Sequence, residues 1–238
     1  RDDLFELGAY AVERGIRTVI STNGTLLRLT LNKHNVEDLS AILDLLREEG
    51  IPRACFYHLV YAGRGRRMQE DDLTPEETRA AVDLVFDQAV AFHRDGVEIE
   101  ILTVDNHADG PYLLCRVQRE QPRRYEEVLA LLRANGGNAS GIGIAAVDHL
   151  GDVHADQFWQ HYSFGNVRQR PFGEIWTDTS DPLMAGLKDR KPLLKGRCAR
   201  CRYLDLCNGN FRVRAEAVYG DVWAPDPACY LTDEEIGR

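Results

Sequence analysis

Apolar positions in the first 135 residues recur with two alternating periods. Leu4, Leu7, Ala11 and Val12 form a helical stripe, opened by Asp3 and Glu6 at capping-box spacing and closed by Gly15. Residues 18–21 then read as a short buried strand ending in the turn Thr22-Asn23-Gly24. Residues 27–31 read as a second strand. Asn35 is expected to cap a helix with Val36, Leu39, Ile42, Leu43 and Leu46 on one face and Gly50 as its stop. Residues 54–61 are the next strand, followed by the polar loop Gly63-Arg64-Gly65-Arg66-Arg67. Thr74-Pro75-Glu76-Glu77 opens a helix with a cap, a proline in the first turn and a glutamate at the third position. That helix is expected to reach about His93, with Gly96 beyond it, before residues 98–104 return as strand.

Alternation of strand and helix at this length predicts an α/β fold of parallel βα units, open or barrel-like. Ligands of such folds gather at the carboxyl ends of the strands. Ser21, Thr22, Asn23 and Gly24, residues 58–64, and Asp105, Asn106 and His107 all fall there. After Asn135-Gly136-Gly137 the pattern changes. Residues 142–148 and 152–156, joined through Leu150 and Gly151, predict a β-hairpin, and short helices follow at 173–178 and 182–190. The chain is therefore divided into residues 1–137 and a smaller domain at 138–238.

The 238 residues are 44% hydrophobic with a net charge of −9, which supports a core and argues against nucleic acid as the main partner. No apolar run is long enough to span a bilayer, and no secretory leader is present, so a cytoplasmic protein without a membrane partner is expected. The chain opens at Arg1 in mid-pattern, as if its own beginning were absent.

Four of the six cysteines form Cys198-x2-Cys201-x5-Cys207-x21-Cys229. Disulfides need an oxidising compartment, for which there is no signal. Structural zinc accepts four thiolates but usually draws on two tight pairs, and here only the first pair is tight. The irregular spacing suits the splayed corners of an iron–sulfur cubane better, though zinc stays open on spacing alone. Seven basic residues between Lys188 and Arg202 would lower thiol pKa values, or simply form a solvated face. Cys55, in a strand, and Cys115, in an apolar helix, read as core thiols.

Gly165-Asn166-Val167, Glu174-Ile175-Trp176, Cys198-Ala199-Arg200-Cys201 and Cys207-Asn208-Gly209-Asn210 resemble the SPASM domain of radical S-adenosylmethionine (SAM) enzymes. Ser21-Thr22-Asn23-Gly24 resembles the tip of the fourth strand of their partial (β/α)6 barrel. Lys33-His34-Asn35 resembles a later strand end that meets the methionine part of the cofactor. Residues 57–65, 135–141, 151–154, 181–188 and 224–231 are similar to the radical SAM proteins of haem d1 biosynthesis, and enzymes acting on sirohaem-derived and coproporphyrin substrates are near alternatives.

The resemblance implies an incomplete barrel followed by a small iron–sulfur domain. It implies a tetrapyrrole-modifying enzyme that uses a 5′-deoxyadenosyl radical to remove propionates from didecarboxysirohaem. Ser21, Thr22, Asn23, Asn35, Gly63 and Arg64 would contact the cofactor, and Cys198, Cys201, Cys207 and Cys229 would hold one auxiliary 4Fe–4S cluster. S-adenosylmethionine, a second 4Fe–4S cluster and an electron donor such as a ferredoxin or flavodoxin would complete the system. Two departures stand out. The CxxxCxxC motif that ligates the SAM-binding cluster is nowhere in the chain, and residues 25–33 join pieces that relatives separate by a helix, a strand and another helix. The chain as it stands is thus expected to be inactive alone. A zinc-stabilised, non-catalytic scaffold is the competing reading.

Among the remaining candidates, His107 is the first choice for a substrate contact or proton donor, against a loop-organising hydrogen bond. His58 and Tyr61 could touch a substrate at the barrel mouth, and Arg64, Arg66 and Arg67 could pair with its carboxylates. His154 reads as structural or exposed, and Phe158, Trp159 and Trp176 as core.

Overall fold

The computed structural model describes residues 26–237. The expectations for residues 3–24, including Ser21, Thr22 and Asn23, lie outside the described residues. Strands β1 (Leu27–Thr30), β2 (Arg53–Tyr57) and β3 (Glu100–Val104) form a parallel sheet in that order. Leu27 stands opposite Ala54, and Ala54 opposite Ile101. Helices α1 (Leu39–Glu48) and α2 (Pro75–Arg94) supply the crossovers that parallel pairing requires. Leu39, Leu43 and Leu46 of α1, and Ala81, Val85 and Phe92 of α2, pack with Leu31, Ala54 and Phe56. Each fully buried Leu or Phe contributes about 1.5–3 kcal/mol of transfer free energy.

The capping box forms as the sequence dictates: Glu77 N–H donates to the Thr74 hydroxyl, and Thr74 N–H to the Glu77 carboxylate. Three local expectations are corrected. Asn35 does not cap α1; its amide donates to the Thr30 carbonyl and its oxygen accepts from Asn32 N–H, so it ties a turn and the helix starts at Leu39. β2 ends at Tyr57, short of residue 61: His58 N–H makes the last bond to β3, at the Val104 carbonyl, and the chain then turns, with Ala62 N–H on the Val60 carbonyl. The expected loop at 63–67 winds into a 3-10 helix, Gly63–Asp71, kinked at Met68.

Beyond β3, helices α3 (Asp109–Glu120) and α4 (Tyr125–Asn135) lead to the antiparallel pair β4 (Ala146–Val147) and β5 (Val153–His154). Five short helices follow: α5 (Phe172–Thr177), α6 (Pro182–Lys188), α7 (Gly196–Ala199), α8 (Leu204–Cys207) and α9 (Arg212–Tyr219). His154 is buried, not exposed, with its Nδ1 2.8 Å from the Tyr162 carbonyl. Trp159 is core, as expected.

The early and late parts share a core. Val82, Ala108, Tyr112, Leu114 and Cys115 pack with Tyr203, Leu206, Tyr230, Leu231 and Ile236. Gly137 lets the backbones meet. Its φ is +70°, and a Cβ there would stand 2.4 Å from the Cys207 carbonyl carbon. Asn138 N–H then reaches the Cys207 carbonyl at 3.1 Å, and the Asn208 amide donates to the Asn138 carbonyl at 2.8 Å.

Candidate metal centre and strand-end cavities

Cys198 lies in α7, Cys201 just beyond it, Cys207 at the end of α8 and Cys229 in the loop after α9. All four are free thiols and line one apolar cavity with Ala108, Leu204 and Leu231. Asn208 and Asn210, both with positive φ, turn the chain sharply behind Cys207. Arg197 fixes the Cys229 loop from outside, donating to the carbonyls of Cys229 and Leu231.

Burial pushes the Cys207 thiol well above its ordinary range and the Cys229 thiol up to about 12, and raises Cys201 as well. Four neighbouring thiolates therefore need a cationic group between them, and an iron–sulfur cluster is such a group. The donor set fits. Most of the basic run expected to assist is engaged elsewhere: Lys188 over the Trp176 ring, Lys191 on Asp205, Lys195 on Asp221 and Arg202 on the Tyr203 hydroxyl. Arg190 is buried against Asn138 and Ser140.

The carboxyl ends of the strands border two larger cavities. One, of about 610 Å3, is lined by Thr30, Asn32, His58, Arg64, Asp105 and Phe158. The other, of about 650 Å3, runs along the free edge of β3. Its walls include Phe86, Leu113, Leu132 and Phe211, and its polar end carries Asp105, His107, Ser140 and Asp156. Asp105 borders both. Its place at a strand end is legible in the sequence, but nothing local signals that this aspartate takes φ +68° or that its carboxyl makes no hydrogen bond among the described residues. Burial raises its carboxyl to about 6, against the opposing pull of Arg214 and His58. Burial, reinforced by Arg214, lowers His107 to about 4, so its imidazole is neutral at pH 7. Ser140 donates to Asp156, and burial still leaves that carboxyl raised.

The other expected site residues are placed as follows. The His58 ring, buried, faces Asp109 at 3.0 Å, and the Tyr230 hydroxyl donates to the same carboxylate at 2.7 Å. Burial alone would raise the Asp109 carboxyl, but His58 and Tyr230 hold it below its ordinary value. Tyr61 is buried, and its hydroxyl donates to Asp72 at 2.6 Å. Gly63 and Arg64 open the 3-10 helix, exposed at the cavity mouth. Asn35 is spent on its turn and lines neither cavity. The cavities thus bring His58, Arg64, Asp105 and His107 to the strand ends, with Tyr61 set back behind them.

A family model for the SPASM iron–sulfur cluster-binding domain matches residues 141–202. The Fe-coproporphyrin III synthase of Methanosarcina barkeri is 54% identical over an alignment that covers all of this chain and 74% of that protein. The chain belongs to the radical SAM/SPASM family. The pre-heme d1 synthase of Dinoroseobacter shibae is 42% identical over 89% of this chain and 52% of that protein. The fold agrees with the solved structure described as native anSMEcpe with bound AdoMet, at a TM-score of 0.56 over 96% of this chain and 56% of that one, with 13% identity. This chain therefore spans little more than half of the latter two. The relatives named as Fe-coproporphyrin III synthase and pre-heme d1 synthase are tetrapyrrole-modifying enzymes, and the family's cofactors are S-adenosylmethionine and 4Fe–4S clusters. The SPASM match resolves the metal that cysteine spacing left open in favour of iron–sulfur. The alignment to the Methanosarcina protein runs over 296 positions against 238 residues here, in line with an internal segment that relatives carry and this chain skips.

Proposed function

We propose that this polypeptide is the substrate- and auxiliary-cluster-bearing part of a radical SAM enzyme that removes carboxylated side chains from an iron tetrapyrrole. The similarity to Fe-coproporphyrin III synthase across the whole chain carries this reading. Coproporphyrin keeps its propionates, so the product read from that relative differs from the haem d1 route, in which propionates of didecarboxysirohaem are lost. The higher identity and coverage favour the coproporphyrin route over the d1 route. Cys198, Cys201, Cys207 and Cys229 would hold one auxiliary 4Fe–4S cluster, which supplies electron-transfer capacity when bound.

The remaining work falls to this chain's own side chains. Phe86, Leu113, Leu132 and Phe211 offer an apolar wall that receives a flat macrocycle and excludes water. Asp105, with its carboxyl raised to about 6, holds or yields a proton close to neutral pH. Arg64 and Arg66, at the mouths of adjoining cavities, pair with substrate carboxylates. Gly63 supports the cofactor side of the site, from which Asn35 is withdrawn by its hydrogen bond to the Thr30 carbonyl. A ferredoxin or flavodoxin is the reductant. We place the protein in the cytoplasm, where reduced thiols persist; no helix among the described residues is long and apolar enough to cross a membrane.

Anaerobic reconstitution with iron and sulfide tests the metal centre. A charge-transfer band near about 400 nm, lost in Cys201→Ala, is expected. Stoichiometric zinc with no reconstitutable cluster overturns it. Mass spectrometry of the product made after the CxxxCxxC-bearing segment of a relative is supplied separates the two routes: retained propionates support the coproporphyrin reading, and lost propionates the d1 reading.

A further inference from the structure

The seven histidines are not equivalent. His34, His58 and His161 face the carboxylates Asp71, Asp109 and Glu216, and His154 faces the Tyr162 carbonyl. His93 and His149 lie exposed on the surface. His107 alone among the described residues presents its ring in the wall of the 650 Å3 cavity. Its backbone N–H is fixed by the Asn210 side chain at 2.9 Å, and its ring stacks on Phe211 at 5.6 Å between centroids. These contacts hold the ring without occupying either nitrogen.

The cavity around it has a particular chemistry. None of its lining residues is a lysine or arginine, whereas aromatic and aliphatic side chains make most of the wall. Such a space takes the apolar face of a macrocycle, and the arginines Arg64 and Arg66 line the adjoining cavities. What it adds, at one point, is an unprotonated imidazole. Neutral imidazole is the side chain most often used to bind a metal, and histidine is a common axial ligand of haem iron.

We propose that His107 is an axial ligand to the iron of the tetrapyrrole substrate. The inference rests on the iron-tetrapyrrole reading above and deepens it by assigning the contact that recognises the metal. One Fe–N bond forms and a weak ligand such as water leaves the iron; no electron moves and the oxidation state is unchanged. The lowered basicity of His107 keeps the nitrogen unprotonated at the pH of the cell, with Arg214 and Arg190 opposing protonation and Asp109 and Asp226 favouring it. A resident haem ligand normally has its second ring nitrogen hydrogen-bonded to a carboxylate or carbonyl, which strengthens the metal bond. His107 has no such protein partner among the described residues, which gives a weaker, exchangeable bond suited to a substrate that must leave as product.

The test uses the anaerobically reconstituted chain and two probes, ferric Fe-coproporphyrin III and metal-free coproporphyrin III. The chain is expected to bind the iron form about tenfold more tightly than the metal-free form, with a Soret shift and a changed ferric EPR signal. His107→Ala and His107→Gln are expected to lose that margin and the spectral change, to bind the metal-free porphyrin as before, and to recover the Soret shift with added imidazole. Unchanged metal-free binding reports that the variants are folded. The proposal is overturned if the variants keep the wild-type Soret and EPR signature and the same preference for iron. Failure of the parent chain to bind either porphyrin is a different result: it defeats the tetrapyrrole reading itself, and this inference with it.

Discussion

The sheet region and the cysteine region of this chain are buried by different means. Between Leu27 and Arg94 the interior is mainly Leu, Val, Ala and Phe, and its buried polar residues, Asn32, His58 and Thr78, carry no permanent charge. From Asn138 onward the buried residues include Arg190, Arg212, Arg214, Asp226, Asn210 and Asp156. The helices explain the contrast. α2 runs for 20 residues and satisfies its own backbone, whereas α7 and α8 have four residues each, and long loop segments surround them. Guanidinium groups, each with five donors, bind carbonyls of these loops and of the strand ends. Arg212 reaches the carbonyls of Val222, Ala224 and Gly209. Arg214 bonds Asp226 and also the carbonyls of Leu59 at 3.0 Å and Asp105 at 2.9 Å, so one side chain ties the cysteine region to two strand ends. A region with little regular structure can thus be rigid, but only while every donor is present.

The largest predicted effect tests that dependence. Arg214→Ala leaves Asp226 buried without its partner and is expected to cost about 3–5 kcal/mol in chemical denaturation. Joint replacement by Arg214→Met and Asp226→Leu is expected to recover part of the loss, since neither charge is then left alone; no recovery would show that the carbonyl contacts, not the ion pair, dominate. The next concerns the residue that Arg214 holds. A carboxyl raised from 3.8 to about 6 binds its proton more tightly in the folded state. Its stabilising contribution is therefore complete below the unfolded value and is lost as pH rises through about 6. Asp105→Asn removes that loss and suits the left-handed backbone. It is expected to stabilise the chain at pH 7 by on the order of 2 kcal/mol, with the gain shrinking as pH falls below about 6 and gone below about pH 4. A Tm difference that does not change with pH contradicts this. The smallest effect lies in the sheet region: Thr74→Ala removes one arm of the capping box and is expected to cost about 1 kcal/mol, without altering cluster incorporation. Loss of the cluster in that variant would mean that the core shared through Val82 couples the cap to the cysteine region.

Much of the sheet region was legible because its signals are local. Period-two and period-3.6 apolar patterns marked β1, β3 and α2, and the Thr74–Glu77 spacing marked a helix start to within a residue. Asn35 misled because its side chain closes a local turn onto the Thr30 carbonyl, a use that an asparagine ahead of an apolar stripe offers as readily as a helix cap. Residues 63–67 misled because glycine and arginine content signals a loop, and a tight 3-10 helix satisfies the same composition. The four cysteines were legible as a group by spacing. The Arg214 network was not, since its partners Leu59 and Asp105 lie more than 100 residues away.

The sequence by itself determined the parallel βα order, the grouping of four cysteines and the family resemblance, because each depends on spacing along the chain. Only the tertiary structure decided that His58 is committed to Asp109, that Asp105 stands in a left-handed turn with a raised pKa, and that His107 keeps a neutral ring in an open cavity. These properties arise from burial and from charges distant in sequence. The field at a strand end is set by whatever the fold brings there.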